Sequence, residues 1–389
     1  MFGTSTSAYQ IETPVNHDWI GVKSRDGNLF DRTTDHEKRI DQDVNIIASV
    51  APHYRMSLMW SKLQAEAFAE FDPVVVQDYK TLLDKLAIRN VKVMMVVHHF
   101  ANPKWFTQNG GWLNERNITA FLDYSKRLAA TFGRYVSIWN TFNEPNLYCS
   151  MAYVEGEFPP FRKNIFSANR AIRNMANAHN ELYDILKNSS PDKLVGISHN
   201  CTLFEGDNFL GKIPAKFFDW CYMDYAEDLF KKTDFFGMSY YARIGFDPFP
   251  VTYLTTPNKF EKSGKRHDDM WEYYPEGLEN CILRFSKKYG KPIIITENGI
   301  CTNDDEKRIA AIGDYMLAIS NAINKGAKVL GYYHWSTWDN FEWSLGPTFQ
   351  FGLYGCDLKT KERTKKPSAD VYSALAHSKE IIVDDKKVD

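Results

Sequence analysis

Eight short apolar runs, set apart by longer stretches of helical period, constrain this chain more than any other feature it carries. The runs lie near residues 2–8, 53–60, 91–99, 136–142, 194–200, 234–241, 292–297 and 328–335. Between most of them lie segments such as VVVQDYKTLLDKLAIRN, ITAFLDYSKRLAATFGR and ANRAIRNMANAHNELYDILKN, whose apolar residues recur at helical spacing. No Gly/Ser- or Pro-rich linker interrupts the alternation. Eight such alternations in one undivided chain predict an α/β fold, a single (β/α)8 TIM barrel. An open dinucleotide-binding sheet is disfavoured because no GxGxxG follows the first run. The barrel domain is expected over residues 1–379, with residues 380–389 (EIIVDDKKVD) as a loosely ordered charged tail.

The ends of the runs share a character. They finish at Tyr9-Gln10, Arg55 to Trp60, His98-His99, Asn143-Glu144-Pro145, His199-Asn200, Tyr240-Tyr241, Glu297-Asn298-Gly299 and His334-Trp335. In a parallel barrel the carboxyl ends of all strands converge on one face, where active sites sit. Polar and aromatic groups at every end therefore mark a site.

Composition narrows what that site handles. Lys+Arg is 47 against Asp+Glu 49, a net charge of -2, which leaves no basic footprint for nucleic acid and no charge to seek a membrane. The six cysteines are scattered without CxxC or metal-ligand spacing, so neither a metal nor a disulfide framework is expected. The opening residues show no basic and apolar leader pattern, and no stretch approaches the ~20 apolar residues of a membrane span. A cytoplasmic protein with reduced thiols is the expectation. Its sequons at Asn117, Asn188 and Asn200 then carry little meaning. Aromatic content of 15% suits stacking on sugar faces, but it suits an aromatic core equally.

Glu144 and Glu297 end the fourth and seventh runs, roughly across an eight-stranded barrel. Cleaving an acetal requires a proton for the leaving oxygen and an anion or nucleophile for the developing oxocarbenium ion, and two carboxyl groups supply both. Arg55 and the Tyr241 hydroxyl would hold Glu297 ionised. A nearby carboxylate and an apolar pocket would keep Glu144 protonated as the acid.

The surrounding motifs carry a resemblance. TFNEP (141–145) and ITENG (295–299) resemble the acid/base and nucleophile signatures of glycoside hydrolase family one, the β-glucosidase-like clan A barrels. The likeness runs from FGTSTSAYQIE (2–12) through YRMSLMW (54–60), HHFANPKWF (98–106), DFFGMSYYAR (234–243), WEYYPEGL (271–278) and WSTWDNFEW (335–343) to FGLYGCD (351–357) and KPSADVYSAL (366–375). It implies Glu144 as acid/base, Glu297 as nucleophile, and Arg55 and Tyr241 as residues that position the nucleophile. It further implies that Asn143 holds the sugar 2-hydroxyl, and that Gln10, His99, Glu342 and Trp343 bind the other hydroxyls. Trp335 would lie beneath the sugar ring, with a cis bond to Ser336. Trp271 would wall the leaving-group side, and Phe351 would close the far end of the pocket.

The activity implied is that of a retaining β-glycosidase on small or oligosaccharide β-glycosides, with no cofactor. An acidic Glu342 would repel a 6-phosphate and chelate two neutral hydroxyls, so the substrate is read as an unphosphorylated glucoside or galactoside. A non-hydrolytic sugar binder and a transglycosylase remain alternatives. Nothing in the residues sets an oligomeric state. Three departures stand out: Ser239 where the family usually has Asn, Phe100 where it usually has Trp, and a short 204–216 region.

The other chemistry-bearing residues have simpler readings. His98 is expected to point away from the lumen, opposite His99. His199, His334 and Asn200 are read as satisfied hydrogen-bonding residues. The run Asp304-Asp305-Glu306-Lys307-Arg308 is read as a solvated helix start.

Overall fold

Each of the eight apolar runs forms a strand in the computed structural model, which describes residues 1–31, 33–251 and 264–378. Numbered along the chain, these are β1 (Phe2–Ser5), β2 (His53–Ser57), β3 (Lys92–His98) and β4 (Val136–Asn143). They continue as β5 (Leu194–Asn200), β6 (Phe235–Tyr240), β7 (Ile293–Asn298) and β8 (Val329–Trp335). All pair in parallel in chain order, and β8 closes on β1 through Phe2 opposite Tyr332 and Ser5 opposite Trp335. The closed barrel read from the alternation is the barrel observed. The expected tail, residues 380–389, lies outside the described residues.

Helices cover the outside of the barrel for reasons visible locally. In the helix Pro73–Ile88, Asp72 accepts from the amides of Val74 and Val75, and proline stands at a first-turn position where its missing N–H costs nothing. In the helix Asp305–Asn324, Asp304 caps the amides of Glu306 and Lys307. Arg308 in that run is not solvated. It is fully buried, donating to Asp305 at 2.6 Å and to the carbonyls of Thr302 and Gln350, so it ties the helix to the loop after β7.

Buried apolar residues gather in three clusters, of which Met270, Cys301, Trp335 and Phe351 form one beside Tyr241 and Trp271. The largest fills the layer between strands and helices. A smaller one, Met94, Ile138, Phe235, Ile294 and Tyr333, takes one residue from each of five strands and plugs the barrel interior. Side chains above the plug form a polar floor.

Five strands are shorter than their apolar runs, β5 coincides with its run, and β4 and β7 reach one residue beyond theirs. β1 stops at Ser5, and the chain then makes a short helix, Ala8–Ile11, that swings Gln10 over the barrel mouth. After β5 and β6, the segments Leu203–Gly206, Arg243–Phe246 and Pro250–Val251 pair as a small sheet. With the helix Lys212–Asp219, this sheet forms the rim on that side. The 204–216 region is thus a short strand and a helical arm.

Candidate active site

Strand parity alone would point Asn143 and Glu297 the wrong way. On β4, Ile138 belongs to the interior plug, and Asn140 reaches Ser198 Oγ at 2.5 Å. Thr141 bonds His179 of the outer helix Ile165–Ser189, and Phe142 joins the outer core. A register shift between Asn140 and Asn143 then turns Asn143 back inward. On β7, Ile294 is in the plug and Ile295 in the outer core, and a second shift between Ile295 and Glu297 does the same for Glu297. Such irregularities re-aim side chains next to active sites.

Glu144 follows in left-handed backbone, at φ 42. That conformation is costly for a residue with a Cβ, and here it begins the helix Pro145–Ser150. Gly299 follows Asn298, and a Cβ there would lie 2.2 Å from the Trp335 carbonyl. Glycine is needed for β7 and β8 to approach this closely.

The two carboxyls have different company. Glu297 receives Arg55 Nη1 at 2.5 Å on one oxygen and the Tyr241 hydroxyl at 3.0 Å on the other. The second Arg55 Nη donates to Asn143 Oδ1 at 2.5 Å and to Ser198 Oγ at 3.3 Å, so one buried guanidinium joins β2, β4, β5 and β7. Asn143 in turn contacts His99 Nε2 at 3.2 Å. Among the described residues Glu144 has no cation in contact, and it takes the Asn200 amide at 3.2 Å.

Burial raises both carboxyls above the ordinary carboxylate range, and each is almost fully enclosed. For Glu144 the Glu297 charge adds to desolvation, and only the weaker pulls of Ser239, Asn200 and Arg55 oppose it. For Glu297 the Arg55 charge and the two donors oppose desolvation without overcoming it. Arg55 and Tyr241 make Glu297 the more acidic of two raised groups, and a proton shared by the pair resides on Glu144.

All twelve residues singled out from the sequence fall in one connected set. Gln10 Nε2 donates to Glu342 at 3.3 Å and to Asn340 Oδ1 at 2.9 Å. The His99 ring lies 5.9 Å from those of both Trp335 and Trp343. Trp271 and Phe351 each pack 5.8 Å from Tyr241. The Trp335–Ser336 peptide is cis, as the resemblance implied. Within this set, Gln10 Oε1, His99 Nδ1 and Arg55 Nε are buried without a hydrogen-bond partner among the described residues.

Glu342 sits half-buried at the mouth, where desolvation and then the Glu297 charge raise it to about 8, with Trp335 and Gln10 opposing.

His98 points outward as expected, bonded to Asn102 at 3.0 Å and edge-on to Trp112. His199 stacks on Phe236 and His334 lies against Tyr372, and the Nδ1 atom of each has no partner among the described residues. Asn200 is hydrogen-bonded, as read from the sequence, and its partner is Glu144; two polar residues were not singled out, Ser198, which contacts Arg55, and Tyr222, which contacts Asn200 at 3.0 Å. The signal for Ser198 was present, because Ser198 and Asn200 lie two apart on one strand and so share a face. Tyr222 comes from the helical arm and had none.

A parallel barrel with two carboxyls of opposed company amid tryptophans and hydroxyl-binding groups defines a glycoside hydrolase. The model of glycosyl hydrolase family 1 matches residues 1–206 and 223–381, and the chain belongs to that family. It is 26% identical to β-glucosidase A of Acetivibrio thermocellus, with 96% of each chain covered. It is 28% identical to a 6-phospho-β-galactosidase of Staphylococcus aureus, with 98% of each covered. Among solved structures, the β-glycosidase from Pyrococcus horikoshii superposes with a TM-score of 0.85 at 30% identity, over 98% of this chain and 94% of that one. Among the described residues no helix is long and apolar enough to cross a membrane, and no His/Cys/Asp/Glu group could hold a metal ion.

Proposed function

We propose that the enzyme is a retaining β-glycosidase of unphosphorylated glucosides or galactosides, working by double displacement. The observation that carries this is the asymmetry of the pair: Glu297 bound by Arg55 and Tyr241, Glu144 by a neutral amide. Ionised Glu297 attacks the anomeric carbon while Glu144 gives its proton to the departing oxygen, and the product is a glycosyl ester on Glu297. Forming the ester removes the Glu297 charge, which had raised Glu144. Glu144 then ionises more readily, takes a proton from water, and the hydroxide displaces Glu297 from the anomeric carbon. Gln10, His99, Asn143, Glu342 and Trp343 bind the sugar hydroxyls, Trp335 lies under the ring, and Trp271 and Phe351 bound the pocket.

Preference for an unphosphorylated sugar rests on the neutrality around Glu342. Its neighbour Gln10 contacts Asn340 and the Phe341 carbonyl, and the nearest cation in the set, Arg55, is already engaged by Glu297. A phosphate dianion buried there would lack a counter-charge. Names among the relatives divide between unphosphorylated and 6-phospho substrates, so the test is a panel of aryl β-glycosides with gluco, galacto, fuco, manno, xylo and 6-phospho-gluco configurations. Turnover of the gluco or galacto member with none of the 6-phospho member is expected, and the reverse would overturn the substrate reading. A 2-fluoro-glycoside should trap on Glu297; a label mapped elsewhere would overturn the mechanism.

A further inference from the structure

We infer that Asn200, held in place by Tyr222 and Thr202, is the positioning residue that sets how readily Glu144 changes from acid to base. The geometry fixes the orientation of its amide. The Tyr222 and Thr202 hydroxyls both reach its carbonyl oxygen at 3.0 Å, which leaves the NH2 group to face Glu144 Oε1 at 3.2 Å. Its backbone is clamped as well: Asn146 accepts from the Asn200 amide at 3.1 Å and donates to the Asn200 carbonyl at 2.9 Å. Asn146 also reaches the Tyr222 carbonyl at 3.3 Å, so the arm and the end of β5 are held together.

An amide N–H stabilises the ionised carboxylate over the neutral acid. Glu144, enclosed beside the Glu297 carboxylate, draws on the Asn200 amide, together with Ser239 and the more distant Arg55 charge, to become a base in the second half of the reaction. Residues 207–222 fall outside the match to the family model, so Tyr222 brings this support from a segment that the model does not match. Its ring packs edge-on to Phe204 at 5.6 Å, which places the hydroxyl independently of the exposed end of the arm.

The inference rests on the acid/base role proposed for Glu144, and the experiment separates the two. Wild type, N200A, Y222F, T202V and E144A would be compared for kcat/KM against pH, with one poorly and one well-activated aryl β-glycoside. Loss of the donor should move the basic limb of the N200A profile to higher pH by about one unit. It should also slow turnover of the well-activated substrate several-fold, because deglycosylation then limits. Y222F and T202V should shift the limb in the same direction by less. A merely structural Asn200 would lower activity or melting temperature with the limb unmoved in all three variants, and that result overturns the inference. If E144A loses equal activity on both substrates, the acid/base reading itself has failed instead.

Discussion

Replacing Tyr241 by phenylalanine removes one atom from the support of Glu297 and little else. The ring packs against Trp271 and Phe351, each 5.8 Å away, and phenylalanine preserves both contacts. Arg55 stays at 2.5 Å on the other carboxylate oxygen, so the counter-charge remains. What disappears is a 3.0 Å hydrogen bond from a hydroxyl to a buried carboxylate. A bond of that kind to a charged group is worth about 1.5–3 kcal/mol, which corresponds to a fall of roughly 10- to 100-fold in kcat/KM.

The sign on pH follows from the same contact. Tyr241 favours ionised Glu297, so its loss raises that carboxyl further, and the limb where Glu297 must lose its proton moves to higher pH. The assay is kcat/KM for an aryl β-glucoside from about pH 4 to 9, with the rate of labelling by a 2-fluoro-glycoside as a second measure of the attacking step. A variant within twofold of wild type, with its acidic limb unmoved, would refute the argument that Tyr241 sustains the nucleophile.

Two further outcomes are expected. In E144A, hydrolysis of glycosides with poor leaving groups should fall by about 10² to 10⁴, while formation of the glycosyl-enzyme from highly activated aryl glycosides is largely spared; steady-state and burst kinetics on the two substrate types check this. In E342Q, sugar binding should weaken but the fold should gain stability. Glu342 keeps its proton to about pH 8 when folded and releases it near pH 4 when unfolded, so wild-type stability falls as pH rises through that window. Denaturation midpoints should therefore diverge from pH 5 to pH 8 in favour of E342Q, by about 1–2 kcal/mol for this half-buried group. A constant gap across that range would show that Glu342 is ionised throughout.

Much of the molecule was legible before folding. Eight apolar runs spaced by amphipathic helices admit few architectures, because each strand must be buried on both faces and each helix on one, and local periodicity reports that directly. The polar run ends gave the site for the same reason, since parallel strands deliver all their carboxyl ends to one face. Glu144, Glu297 and their ten companions were found that way and by motif.

Other features were decided only by the tertiary structure. Period-two counting from Ile138 and Ile294 sends Asn143 and Glu297 toward the helices, and only the register shifts against β5 and β6 return them to the lumen. Those shifts are settled by pairing between strands distant in sequence, to which local pattern is blind. The proton balance is also collective. Burial outweighs the Arg55 charge on Glu297 and raises Glu342, because desolvation depends on every atom around a carboxyl rather than on its neighbours in the chain. Asn200 shows the same division: its place at the end of β5 could be read from the chain, but the amide orientation that makes it useful to Glu144 is imposed by Thr202 and by Tyr222, which the fold brings from the helical arm.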